Sequence, residues 1–163
     1  MDNRNQLPLT VKCETLLGDF VTLPRERLAF RPAVYAIVLR EDKVLLLNTR
    51  STGKYSLPGG GVDLGERMED ALHREVREET GLRIAIDRYA GFKEHFFYYE
   101  PWDEAYHSFL FFYLCRPLSL DLLANEAIED GEVESPQWIS IADLHARELQ
   151  SHGDLIMNIL KRV

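Results

Sequence analysis

Residues 60–82, GGVDLGERMEDALHREVREETGL, place three glutamates where a helix tolerates them least. Gly81 suits the left-handed residue that ends a helix, and the apolar spacing ahead of it predicts a helix over about Met68 to Thr80. Glu75, Glu78 and Glu79 then occupy the last two turns, at the negative end of the helix dipole, where each carboxylate costs about 0.3–1 kcal/mol. At about 100° per residue the three span an arc of roughly 100°. That arc continues the stripe of Met68, Ala71 and Leu72 that such a helix buries. Like charges about 5 Å apart repel by roughly 3 kcal/mol per pair at an effective dielectric near 20. A divalent cation relieves both penalties, so the helix reads as a metal site. The bland alternative is a solvated helix held by i,i+4 ion pairs. It gives Arg74 a partner in Glu78, but gives Glu75 only another acid, Glu79.

The spacing sharpens this reading. Gly60, Glu66, Arg74, Glu75, Val76, Glu78, Glu79, Gly81 and Leu82 follow the pattern G, five spacers, E, seven spacers, R-E-aliphatic-x-E-E-x-G-aliphatic. Over these residues the chain resembles the Nudix (MutT-like) hydrolases, with no departure from the box. The resemblance implies an α/β fold, the Nudix-type α/β/α sandwich with a mixed sheet. It also implies Mg²⁺ or Mn²⁺ held by Glu75, Glu78 and Glu79, with a backbone carbonyl from Gly59 or Gly60. Arg74 corresponds to the box arginine that pairs with acidic neighbours, here Glu66 or Glu78, and fixes their rotamers.

The implied reaction is water attack on a diphosphate linkage in a nucleoside diphosphate derivative: a nucleoside triphosphate, a nucleotide sugar, a dinucleoside polyphosphate or a capped RNA end. The candidate catalytic residues are Glu75, Glu78 and Arg74. Glu75 is the first choice for the base, with Glu78 or an acid in a later loop as alternatives. Many family members recruit a further carboxylate before the last strand. EDGEVESPQWISI offers Glu129, Asp130, Glu132 and Glu134, and Glu132 best fits the spacing to Trp138. Candidate substrate contacts are Arg50 and Lys54 ahead of the glycine run, and Tyr98 within Phe96-Phe97-Tyr98-Tyr99. Two other classes share the fold. Nucleotide-sensing regulators often have degraded boxes and added DNA-binding segments. Isopentenyl diphosphate isomerases need a placed catalytic cysteine, for which Cys13 and Cys115 show no local signature.

The rest of the chain is compatible with these expectations. Its 163 residues, 45% apolar, suit a single domain over 1–163, with residues 1–30 as an N-terminal extension forming a β-hairpin. The formal charge of −8 argues against a nucleic-acid coat and for cations bridging carboxylate to phosphate. No apolar run spans a bilayer, no DNA-binding module is visible, and the two distant cysteines read as reduced core thiols. The expected setting is cytoplasmic, with a nucleotide-type diphosphate as partner and self-association as a homodimer left open.

Strands are expected over Val11 to Leu16, Phe20 to Leu23, Arg31 to Arg40, Lys43 to Thr49, Tyr55 to Leu57, Arg83 to Tyr89, Gly91 to Tyr99, Tyr106 to Arg116 and Glu134 to Ile139. Gly59 to Gly61 reads as a flexible turn and Leu118 to Gly131 as a partly ordered acidic loop. Ile141 to Ala146 reads as a short helix and Asp154 to Arg162 as a terminal one.

Overall fold

In the computed structural model, residues 8–128 and 131–163 are described. They form two compact units: residues 8–31 with Lys93–Phe109, and Pro32–Phe92 with Leu110–Val163.

In the smaller unit, strands β1 (Thr10–Thr15) and β2 (Phe20–Pro24) make the expected hairpin, registered from Thr10 opposite Pro24 to Glu14 opposite Phe20. Gly18 turns it with φ 89°. On its other edge β1 runs parallel to the distal part of β7 (Ile84–Tyr99), with Glu14 opposite Phe97.

The larger unit holds β3 (Leu28–Arg40, from Pro32), β4 (Lys43–Thr49), β5 (Tyr55–Ser56), β6 (Gly59–Gly61) and helix α1 (Met68–Thr80). The proximal part of β7, the distal part of β8 (Glu104–Pro117), β9 (Val133–Ser140) and helix α2 (Gly153–Leu160) complete it. The hydrogen-bonded order is β7-β8-β3-β4-β5, with β6 on β3 and β9 on β4. The β3–β4, β3–β6, β4–β5 and β4–β9 pairs are antiparallel, so with the parallel β1–β7 pair the sheet is mixed.

Alternation along the strands makes this a three-layer unit, because successive side chains leave opposite faces. Ala33, Ile37, Val44, Leu46, Leu110, Phe112 and Leu114 join Ile156, Ile159 and Leu160 of α2 in one core. Val34, Ala36, Val38, Leu45 and Cys115 join Ala71, Leu72 and Val76 of α1 in the other. Buried Leu72 and Val76 each contribute roughly 1.5–3 kcal/mol to docking α1. The helix ends as its sequence implies: Gly81 has φ 77° and its N–H donates to the Arg77 carbonyl. Thr80, fully buried, donates through Oγ1 to the Val76 carbonyl at 2.5 Å and accepts from the Leu82 N–H.

Four expectations change. Gly59–Gly61 is a strand, pairing with Tyr35, Val34 and Ala33 of β3, because backbone pairing needs no side chains. The two strands expected either side of Ala90 are one, β7; Gly91 stands where the Ile159 side chain packs and leaves no room to spare. The segment after β8 is tied down, with Leu118 N–H on the Arg83 carbonyl and Leu123 N–H on the Thr80 carbonyl, and it carries a 3₁₀ turn at Asn125–Ala127. No helix forms over 141–146: the Ile141 N–H is taken by the Asp42 carbonyl, and a 3₁₀ turn at Ala146–Glu148 follows instead.

Cys13 and Cys115 are free and buried, and burial pushes the Cys115 thiol up to about 12. Among the described residues no helix is long and apolar enough to cross a membrane.

Gly59, with Gly153, is one of the two tightest glycines described. Its φ is 138°, and a Cβ there would lie 2.1 Å from the Val34 carbonyl oxygen, which is backbone and cannot swing aside. Gly59→Ala should therefore destabilise by at least about 2 kcal/mol, lowering Tm by roughly 4–8 °C in thermal unfolding. An unchanged midpoint would contradict this packing.

Candidate active site

The acidic end of α1 is organised by Arg74. A guanidinium has five N–H donors in a rigid fork, and here each has an acceptor. Nε and Nη2 grip Glu66 bidentately, at 2.9 and 2.8 Å. Nη2 also reaches the Gly61 carbonyl at 3.1 Å, and Nη1 reaches Glu75 at 2.8 Å and Glu78 at 3.4 Å. Of the expected partners, Glu66 is the principal one and Glu78 the weakest; Glu75, one residue along the helix, is a partner the spacing did not indicate. The fork on Glu66, helped by the Asp63 N–H, holds that carboxyl down at about 2. Glu66 most of all, and then Glu75, raise the pKa of Arg74.

Each glutamate of the helix has a distinct setting. Glu79 is 4% exposed, and one oxygen accepts the Gly59 N–H at 2.8 Å, a charge-assisted bond between helix and glycine strand. Glu75 is 15% exposed and lies against Gly60, where a Cβ would come within 2.7–2.8 Å of its carboxylate. Glu78 is 60% exposed and the freest of the three. Together with Arg74, Arg77, Leu123 and Ala127 they line one cavity of about 630 Å³.

Among the described residues, no three acidic, histidine or cysteine side chains are gathered closely enough to share an ion, since Arg74 draws Glu75 and Glu78 while the Gly59 N–H draws Glu79. The donors nonetheless suit a hard divalent cation, being all oxygen and facing one cavity. The bare Cα of Gly60 is what lets the Glu75 carboxylate sit where it does.

The remaining candidates are placed as follows. Glu132 is exposed just ahead of β9, its carbonyl accepting the Arg50 N–H, and it is not among the residues lining the cavity. Arg50 is committed to the Val133 carbonyl at 3.2 Å and to Glu134 at 3.0 Å. Lys54 is exposed in the loop ahead of β5. Tyr98 belongs to the smaller unit, where its hydroxyl donates to Asp103 at 2.7 Å and Arg27 sits 5.7 Å from its ring centre. Glu129 and Asp130 lie outside the described residues. Arg77, Leu123 and Ala127 were not marked by the sequence. Arg77 occupies the free spacer of the box, and the other two fall in a segment without periodicity.

Comparison with known proteins gives the family. The family profile described as the NUDIX domain matches residues 29–159, and the chain belongs to the Nudix family. It is 42% identical over 65 residues to an ADP-ribose pyrophosphatase of Methanocaldococcus jannaschii, covering 37% of this chain and 38% of that one. It is 31% identical over 127 residues to Nudix hydrolase 2 of Arabidopsis thaliana, covering 72% and 41%. The chain thus spans about two fifths of the length of these curated relatives. Among solved structures, a MutT NUDIX hydrolase from Burkholderia pseudomallei superposes with a TM-score of 0.62 at 27% identity, over 83% of this chain and 98% of that one.

Gly60 offers a contrast with its neighbour Gly59. The atoms nearest a Cβ at Gly60 belong to the Glu75 carboxylate, a side-chain end rather than backbone. Gly60→Ala should therefore shift the unfolding midpoint by less than about 1 kcal/mol's worth, yet weaken Mn²⁺ binding by about tenfold or more through the displaced carboxylate. Electron paramagnetic titration of Mn²⁺ separates the two effects; unaltered Mn²⁺ affinity would remove Gly60 from the site.

Proposed function

We propose that this chain is a pyrophosphohydrolase that needs Mg²⁺ or Mn²⁺ and cleaves a diphosphate linkage in a nucleoside diphosphate derivative. The observation that carries this reading is the gathering of Glu75, Glu78 and Glu79 around one cavity, with the first two oriented by a saturated arginine. Glu75, Glu78 and Glu79 are the residues that would hold the cation; the Gly60 carbonyl and Glu132, which do not line the cavity here, are the further donors the family spacing suggests. When bound, the ion would neutralise phosphate charge and acidify water.

In the hydrolysis, a water oxygen attacks phosphorus and the bridging P–O bond breaks. The bridging oxygen leaves on the second phosphate, and the proton of the attacking water passes to a carboxylate. Glu75 is the first choice for that carboxylate because Arg74 fixes its rotamer; Glu78 is the second. The likeness to an ADP-ribose pyrophosphatase supports substrates in which a nucleoside diphosphate is joined to a sugar; nucleoside triphosphates and dinucleoside polyphosphates are the other substrates proposed. Lys54 is exposed for phosphate contact, and Arg50, held by the Val133 carbonyl and Glu134, has further N–H donors on a partly exposed guanidinium. The isomerase alternative finds no support in Cys115, a buried thiol whose raised pKa opposes the thiolate.

A hydrolysis screen over these compounds tests the reading. Turnover should vanish after metal stripping and return on adding Mg²⁺ or Mn²⁺. Undiminished turnover in excess chelator would refute it.

The role of Glu132 separates from that of its neighbour. Glu132→Gln should lower kcat and kcat/KM together by about tenfold or more. Glu134→Gln, which loses only a half-exposed pair with Arg50, should change neither by more than about twofold. Parent-like kinetics for Glu132→Gln would take that residue out of the site.

A further inference from the structure

We propose that Arg77 is a substrate-positioning residue, the group through which the cavity holds the phosphoryl oxygens of a diphosphate; this rests on the hydrolase reading above. Two arginines line the cavity, and they differ in what remains free. Arg74 has all five N–H donors engaged by Glu66, Glu75, Glu78 and the Gly61 carbonyl, so it can bind an anion only by dismantling the glutamates it orients. Arg77 is exposed on the same cavity wall, and among the described residues its guanidinium has no hydrogen bond or ion pair.

Charge points the same way. Three glutamates against two arginines leave the lining negative, and a diphosphate arrives as an anion. One divalent ion would make the loaded cavity positive with Arg77 present and only neutral without it. A planar fork suits a tetrahedral phosphoryl group better than a point charge does.

The Leu123 part of the lining is set rather than loose. Leu123 is held by its N–H on the Thr80 carbonyl at 3.0 Å and packs where Gly81 has no Cβ. With Ala127 it offers apolar surface, and among the described residues Arg77 is the one cavity-lining cation not already committed.

The test is calorimetric titration of imidodiphosphate, a diphosphate that resists hydrolysis, into the full chain with saturating Mg²⁺. Arg77→Gln should raise Kd about tenfold, and Arg77→Lys, which keeps the charge but loses the planar fork, should fall between that variant and the parent. The affinity for Mg²⁺ alone and the unfolding midpoint should not move, and Arg88→Gln, an exposed arginine on β7, should bind like the parent. A Kd for Arg77→Gln within about twofold of the parent, or a loss matched by an equal loss of Mg²⁺ affinity, overturns the assignment. If that happens while the parent hydrolyses diphosphates, only Arg77 is at fault. A parent that neither binds imidodiphosphate nor hydrolyses any diphosphate overturns both readings.

Discussion

The acidic end of α1 depends on a single guanidinium. Arg74 joins three stretches of chain at one point: the glycine strand through Gly61, the following loop through Glu66, and the helix through Glu75 and Glu78. Repulsion among the helix glutamates is thereby offset without a cation, at least for the two that Arg74 touches. An arginine is needed because a lysine ammonium has three donors and no plane, and could not grip Glu66 bidentately while reaching two other carboxylates.

The sheet sets where this assembly sits. Gly59 and Gly60 pair with Tyr35 and Val34 of β3, whose alternate residues are buried in the cores on its two faces. The same two glycines meet the helix directly: the Gly59 N–H binds Glu79, and Gly60 leaves space for Glu75. Core packing therefore reaches the carboxylates through two backbone residues. Their lack of side chains is a matter of close approach at both positions, and of backbone conformation at Gly59 alone.

The helix, its end at Gly81 and the hairpins were legible because each rests on a local signal: periodicity, a left-handed residue, or alternation. The glycine strand was not, since three glycines carry no β signature and their pairing is decided by what β3 presents to them. Nor was the unbroken course of β7, because Gly91 looks like a break in sequence and acts as clearance for Ile159. In the site, the box positions announced Glu75, Glu78, Glu79 and Arg74, but not the Arg74–Glu75 bond, which spans adjacent residues that helical spacing treats as facing apart. Leu123 and Ala127 reach the cavity through tertiary ties to Arg83 and Thr80 that no local pattern encodes.

A site that must hold cations and then an anion faces conflicting demands. Carboxylates dense enough for the first repel the second, and a cationic side chain free enough for the second would be captured by the carboxylates. The geometry of α1 separates the two tasks by position. Arg74 sits where every donor meets a glutamate or a carbonyl, and so serves the carboxylates. Arg77, about one turn later, lines the same cavity as Leu123 and Ala127, and among the described residues its guanidinium has no carboxylate partner. The overall charge of −8 makes that division more consequential, because nothing in the chain's net field draws a phosphate toward it. Attraction for the substrate has to be local, from bound cations and from whichever guanidinium the glutamates leave uncommitted.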